Sequence, residues 1–275
     1  MDYNGAPMSG EVNPMGLLPR ISAIVPASLV FCALLAPAAC GASRAKPKPK
    51  DPESEAATNI RLAESYYRAG RVQDALALLE KTAATQPRNA ALRNYYGQLC
   101  FLAGRNAEAE ASFLKALEID PYLTDARNNL GAVYDATGRR DLAEKEFRKV
   151  LADGTYTTPE NARLNLGRLY ASQGRLEEAI AELRRAVETN PKYWRGHYEL
   201  ASTLDRAGRY EEAAREYEVA APDYKLNGEY HYRIGLAYMK LDQPSKAKEH
   251  FLRCQELSPG SENASKAYDL VKLIP

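Results

Sequence analysis

Residues Tyr156–Pro191 read YTTPENARLNLGRLYASQGRLEEAIAELRRAVETNP. Leu166, Gly167 and Tyr170 fall at i, i+1 and i+4, on one face of a first helix. Gly174 stops that helix, because glycine adopts a left-handed C-cap without steric cost. Ala179, Leu183 and Ala186 follow at i, i+4 and i+7 and give a second helix an apolar face. Pro191 ends the second helix, since its ring cannot continue the hydrogen-bond ladder. Small residues at Gly167 and Ala179 let the two helices approach closely. The stretch is one helical hairpin.

The hairpin recurs. With position 1 at Glu160, the other copies begin at Ala56, Ala90, Thr124, Trp194 and Gly228. Position 8 then reads Ala63, Gly97, Gly131, Gly167, Ala201 and Gly235, and position 11 reads Tyr66, Cys100, Tyr134, Tyr170, Leu204 and Tyr238. Position 20 is alanine in every copy: Ala75, Ala109, Ala143, Ala179, Ala213 and Ala247. Position 24 is Leu79, Phe113, Phe147, Leu183, Tyr217 and Phe251. Position 32 is Pro87, Pro121, Pro191 and Pro259, with Thr155 and Lys225 in copies three and five.

Small and aromatic positions at this spacing, closed by proline, resemble the tetratricopeptide repeat of about 34 residues. The resemblance implies an all-α, right-handed superhelical solenoid of six hairpins over 56–261. Each hairpin buries its apolar face only against its neighbours. Residues 262–275 are expected to add a capping helix whose apolar face is Ala264, Tyr268 and Val271, with Ala267 beside them.

The first 40 residues stand apart. Ile21 to Ala36 carries no charge, follows Arg20 and ends in small residues. It is shorter than the ~20 residues of a spanning helix and reads as a secretory leader. Asp2 and Glu11 are out of place in a basic leader, and Met15 suits its start better. Pro37-Ala38-Ala39 before Cys40 resembles a bacterial lipobox, with Pro37 where that pattern prefers leucine. This resemblance implies lipidation of Cys40 and, with Gly41 next, sorting to the outer membrane. The alternatives are a retained anchor or cleavage that frees a periplasmic protein. Residues 41–55, rich in alternating Lys-Pro, are expected to form a flexible tether.

Composition excludes several function classes. The chain is 45% hydrophobic and 27% charged, with a formal net charge of +1. That balance lacks the basic field of nonspecific nucleic-acid binding. Cys100 and Cys254 fall at core positions four repeats apart, too distant for a disulfide. His197 and His231 occupy position 4 of adjacent first helices, where packing is the expected role; two ligands do not close a metal site. No phosphate loop or nucleophile turn is present. Neither an enzyme nor a cofactor is expected. Gly-Arg recurs at Gly70-Arg71, Gly104-Arg105, Gly138-Arg139, Gly174-Arg175 and Gly208-Arg209. Acids such as Asp74, Glu108, Asp141, Glu177 and Glu211 follow, so a locally paired, solvated edge is expected.

What remains is a binding surface. In such solenoids the first helices line a concave groove through positions near 2, 5, 9, 12 and 13. In the N-terminal half Tyr67, Phe101 and Leu102 give an apolar patch, framed by the amides of Asn94, Gln98 and Asn128. Further groove positions are Glu64, Arg68, Asp125 and Asp135, then Tyr198, Asp205, Arg206, Tyr232 and Met239. Aromatic anchors with an amide rim suit a peptide or strand. The alternative is that Phe101 and Leu102 pack against the neighbouring repeat.

One irregularity narrows the reading. Copy three is two residues longer than the other copies, and the excess lies in Gly154–Glu160. Here Thr158 is expected to cap a helix that Pro159 and Glu160 start. The extra length is expected to divide the stacking between copies three and four. Tyr156-Thr157-Thr158-Pro159-Glu160-Asn161-Ala162 with Asn165-Leu166-Gly167, and Asn94-Tyr95-Tyr96-Gly97-Gln98-Leu99-Cys100, resemble segments of the type IV pilus biogenesis lipoproteins, the pilotins of the pilus secretin. That family also has six repeats. The resemblance implies a monomeric protein on the periplasmic face of the outer membrane. It would bind secretin subunits and promote their insertion and multimerisation. The alternative is a general periplasmic scaffold for another envelope complex.

Overall fold

The computed structural model describes residues 52–220 and 228–274. The expected leader, Cys40 and most of the tether lie outside the described residues. Thirteen helices and no strand occur among those described. They form six successive hairpins and a last helix. The hairpins are α1 (Pro52–Arg68) with α2 (Val72–Thr85), α3 (Ala90–Leu102) with α4 (Asn106–Ile119), and α5 (Thr124–Ala136) with α6 (Arg140–Ala152). Then come α7 (Pro159–Ser172) with α8 (Leu176–Thr189), α9 (Trp194–Arg206) with α10 (Tyr210–Ala220), and α11 (Gly228–Lys240) with α12 (Pro244–Leu257). Helix α13 (Glu262–Leu273) packs on α12 and α11. The two helices of a hairpin pack on each other, each second helix packs on the next first helix, and the first helices α1, α3, α5, α7 and α9 touch in sequence.

Helix α1 begins inside the expected tether. Pro52 starts it because proline suits a first turn, where its missing N–H is not needed.

One device ends every first helix. Gly70, Gly104, Gly138, Gly174 and Gly208 have φ between 75° and 77°. The N–H after each turn then reaches back to the position-11 carbonyl: Arg71 to Tyr66 at 2.9 Å, Arg139 to Tyr134 at 2.8 Å, Arg175 to Tyr170 at 3.0 Å. In copy six Asp242 takes the turn with φ 54°, and Gln243 N–H reaches Tyr238 at 3.0 Å.

The core explains the repeat. The six position-20 alanines are each 0% exposed, sealed between the two helices of their hairpins. Position 8 faces position 24 of the same hairpin. A Cβ added at Gly131 would lie 2.6 Å from Phe147 Cε1, and at Gly97 2.7 Å from Phe113 Cε1. At Gly235 it would meet Phe251 at 2.5 Å and at Gly167 it would meet Leu183 at 2.6 Å. The ring or branched side chain of the second helix lies directly on the glycine of the first.

Buried apolar residues form two clusters, and their boundary runs through hairpin four. Leu166, Leu169 and Tyr170 of α7, with Ala179, belong to the N-terminal cluster. Leu164 of α7, with Ile180 and Leu183 of α8, belongs to the C-terminal one. The core thus divides within copy four and not at the long connection before it.

That connection is organised by Asp153. Its carboxylate accepts from Thr155 Oγ1 at 2.6 Å, Thr155 N–H at 2.9 Å and Thr124 Oγ1 at 2.8 Å. The Thr155 bonds, then Thr124, hold the carboxyl below the usual range. Thr158 takes the N-cap place of α7 but makes no side-chain cap.

The face of α13 also differs from expectation. Ala264, Ala267 and Ile274 are buried, with Leu270 and Val271 against the core. Tyr268 is 53% exposed, and Lys272 Nζ lies 3.9 Å from its ring centroid. The sequence places Tyr268 one residue beyond the buried stripe, and its ring serves as a platform for the lysine. Among the described residues no helix is long and apolar enough to cross a membrane.

Candidate partner-binding groove

The first helices line up, so equal positions form rows across the hairpins. The row at position 12 runs Tyr67, Phe101, Asp135, Ala171, Asp205 and Met239. Tyr67, Phe101 and Leu102 are half-buried and pack on the N-terminal core with part of each side chain still exposed. They therefore both support the hairpins and present apolar surface. Tyr95 is also half-buried; burial, with Glu64 and Asp125 nearby, raises its phenol pKa. It adds an aromatic ring between those two acids that positional reasoning did not assign to the groove.

The three amides do not form an exposed frame. Asn94, Gln98 and Asn128 are 6%, 8% and 6% exposed. Asn129 Nδ2 donates to Asn94 Oδ1 at 3.0 Å, and Asn165 Nδ2 donates to Asn128 Oδ1 at 3.2 Å. Position 5 faces the next first helix, whose position-6 asparagine donates to its amide oxygen. These bonds tie α3 to α5 and α5 to α7. Gln98 Oε1 has no hydrogen-bond partner among the described residues.

The C-terminal half of the groove is charged and paired. Arg168 lies 3.4 Å from Glu199, Lys240 2.7 Å from Asp205, and Arg233 3.0 Å from Glu229. Arg206 donates to the Ala171 carbonyl at 2.8 Å. Behind this half, Tyr198, Tyr217 and Tyr230 form a trio with centroids 5.6–5.8 Å apart. Burial pushes the Tyr198 phenol up to about 12.

The Gly-Arg edge is paired throughout, and it links hairpins. Arg71 bonds Asp74 at 2.7 Å, Arg105 bonds Glu108 at 2.6 Å and Arg209 bonds Glu212 at 2.7 Å within their own turns. Arg139 passes over Asp141 and donates to both oxygens of Glu110, in the preceding hairpin, at 2.8 and 2.6 Å. Arg175 bonds Glu178 at 2.7 Å and Glu144 of the preceding hairpin at 3.0 Å. Three of these guanidinium groups also lie 4.0–4.5 Å from the centroid of the position-11 tyrosine.

The histidines separate into two kinds. His197 Nδ1 lies 2.6 Å from Glu216, and Nε2 lies 3.1 Å from the Pro191 carbonyl. The Glu216 hydrogen bond raises its pKa. His231 stacks on His250, with the two Nδ1 atoms 3.0 Å apart. One ring must donate and the other accept, so at least one is neutral. Burial, then His250, pushes His231 down to about 4, and burial also lowers His250. Unfolded histidine titrates near 6.5. The stability held by the His231–His250 pair is therefore complete above about pH 6.5 and is lost as pH falls towards 4. The His197 contribution has the opposite sense: it is complete below about pH 6.5 and is lost as pH rises through the raised value. His250→Phe keeps the stack on Tyr238, whose ring lies 5.6 Å away. It is expected to reduce the loss of stability between pH 7 and pH 5 by about 1 kcal/mol, after discounting for solvent screening at a half-exposed pair. Urea midpoints at the two pH values measure this, and an equal loss in parent and variant would exclude it. Among the described residues no group of three His, Cys, Asp or Glu is placed to hold a metal ion. Cys100 and Cys254 are buried, and burial raises both thiols.

Profiles of the tetratricopeptide repeat match residues 60–124 and 128–194, then 170–233 and 228–261. The chain belongs to the tetratricopeptide repeat family. Among solved structures it is similar to PilW, a widely conserved type IV pilus biogenesis factor, with 26% identity and a TM-score of 0.70 over 78% of this chain and 98% of PilW. It is also similar to PilF of Pseudomonas aeruginosa, with 18% identity and a TM-score of 0.67 over 79% of this chain and 98% of PilF. Cut9, from the APC/C Cut9–Hcn1 hetero-tetramer, overlays with 17% identity and a TM-score of 0.67 over 79% of this chain and 42% of Cut9. The last two likenesses are of fold alone. No curated protein sequence matches the chain.

Proposed function

We propose that this chain is an outer-membrane lipoprotein that binds secretin subunits and promotes their insertion and multimerisation for type IV pilus assembly. The observation that carries the reading is the likeness to PilW, which extends over 98% of that chain. The Tyr156–Ala162 segment and the lipobox-like end of the leader support it independently. The mechanism is holding: the half-exposed patch of Tyr67, Phe101 and Leu102 shields an apolar segment of the secretin monomer, while lipid on Cys40 keeps the pair at the outer membrane. No bond is made or broken.

Heat-resistant secretin multimers on a denaturing gel test this. Deleting the gene is expected to remove the multimers and leave monomer. Cys40→Ala is expected to do the same, tying the activity to the anchor. Unchanged multimers in the deletion strain would rule the reading out. The second reading is a general periplasmic scaffold. Membership of the tetratricopeptide repeat family supports it without specifying the partner.

A further inference from the structure

The position-12 row sets two aromatic rings, Tyr67 and Phe101, beside an acid, Asp135. Asp135 is half-buried. Among the described residues its carboxylate makes no hydrogen bond and no ion pair. Burial raises its pKa, and Arg168 and Arg140 lie near enough to offset this only in part. The other groove acids are differently placed. Glu199, Asp205 and Glu229 each have a cation within 3.4 Å, and Glu64 has Arg68 at 3.7 Å. Asp125 is exposed to solvent. A partly desolvated carboxylate therefore stands at the C-terminal edge of the apolar patch. In that setting a cation gains more than it would at a solvated acid.

We infer that the segment held in this groove carries a large apolar side chain, seated on Phe101 and Leu102, and a lysine or arginine that pairs with Asp135. The two anchors stand on successive first helices, α3 and α5, which touch, and the axes of packed helices lie about 10 Å apart. An apolar contact and a charge pair at different ends of the site also fix the direction in which the segment lies, which an apolar patch alone does not. The inference rests on the proposed function for the identity of the partner, not for the chemistry of its segment.

The mature protein, purified in detergent, is tested against two probes. One is a set of overlapping fifteen-residue peptides tiled across the secretin subunit of the same cell. The other is a randomised phage-displayed peptide library. Selected peptides are expected to combine a large apolar residue with Lys or Arg. Asp135→Asn, a neutral isostere, is expected to weaken their binding tenfold or more, and Asp135→Lys to shift selection towards acidic peptides. Asp141→Asn, in the first turn of the second helix α6 and outside the groove, is the control and leaves binding unchanged. Thermal melts of the variants establish that all are folded. Selected peptides without a cation, binding that ignores Asp135→Asn, or no binding from either probe would overturn the inference. Library peptides that follow the rule while all secretin peptides stay silent would uphold the inference and count against the secretin as partner. Secretin peptides that bind regardless of residue 135 would do the reverse.

Discussion

Replacing Phe101 and Leu102 together by alanine is expected to reduce heat-resistant secretin multimers tenfold or more. The physical difficulty is that both side chains also pack on the N-terminal core. A fully buried Phe or Leu truncated to alanine costs about 2–5 kcal/mol, and two half-buried side chains together cost about as much as one buried one. Loss of function must therefore be separated from loss of fold. Leu117 and Leu151 supply the control: they are also half-buried against the same cluster but sit on or beside second helices, away from the groove. The Leu117→Ala, Leu151→Ala pair is expected to lower the melting temperature by a similar amount and leave the multimers intact. Equal multimer loss in both pairs would mean that stability alone is responsible.

Gly131→Val is expected to destabilise the protein by about 3 kcal/mol. Overpacking a core costs about 1–3 kcal/mol, and a β-branched side chain here meets a ring that cannot withdraw. Phe147 is 0% exposed, and even a single added carbon would come within 2.6 Å of it. The gain of about 1 kcal/mol that a glycine-to-alanine change gives a helix is too small to compensate. Gly154→Ala is the matched control, because no atom lies within 4 Å of the added carbon. Denaturant midpoints decide the matter; a Gly131→Val protein as stable as its parent would mean that the two helices separate at little cost.

Much of the fold was legible because its determinants are local and steric. A glycine under a ring, an alanine sealed between two helices and a glycine at positive φ each leave a fixed residue type at a fixed place. The groove was less legible. Register shows which helical face a residue occupies, but not how far the next hairpin covers it. Asn94, Gln98 and Asn128 were assigned to the correct helices, yet the neighbouring first helix closes over them. Arg139 follows the same logic: its turn offers Asp141, but the geometry between hairpins brings Glu110 closer. Tyr268 departs from the expected face by one contact, a lysine that keeps the ring at the surface, and Thr158 takes the N-cap place without the expected side-chain bond. Asp135 was visible as a groove position. Its lack of a close cation depends on where every neighbouring Arg points, which no spacing reveals.

Hairpin four belongs to both apolar clusters, with α7 contributing to each. In a linear array, opening begins at the free ends and spreads until it reaches a unit whose loss would disrupt both neighbours. Hairpin four is that unit here. Its amides in α7 and α8 would exchange with solvent most slowly, and the terminal hairpins would open on either side of it as two independent foldons. The patch formed by Tyr67, Phe101 and Leu102 would thus lie in the half that can loosen around a captured segment while the middle of the array stays closed.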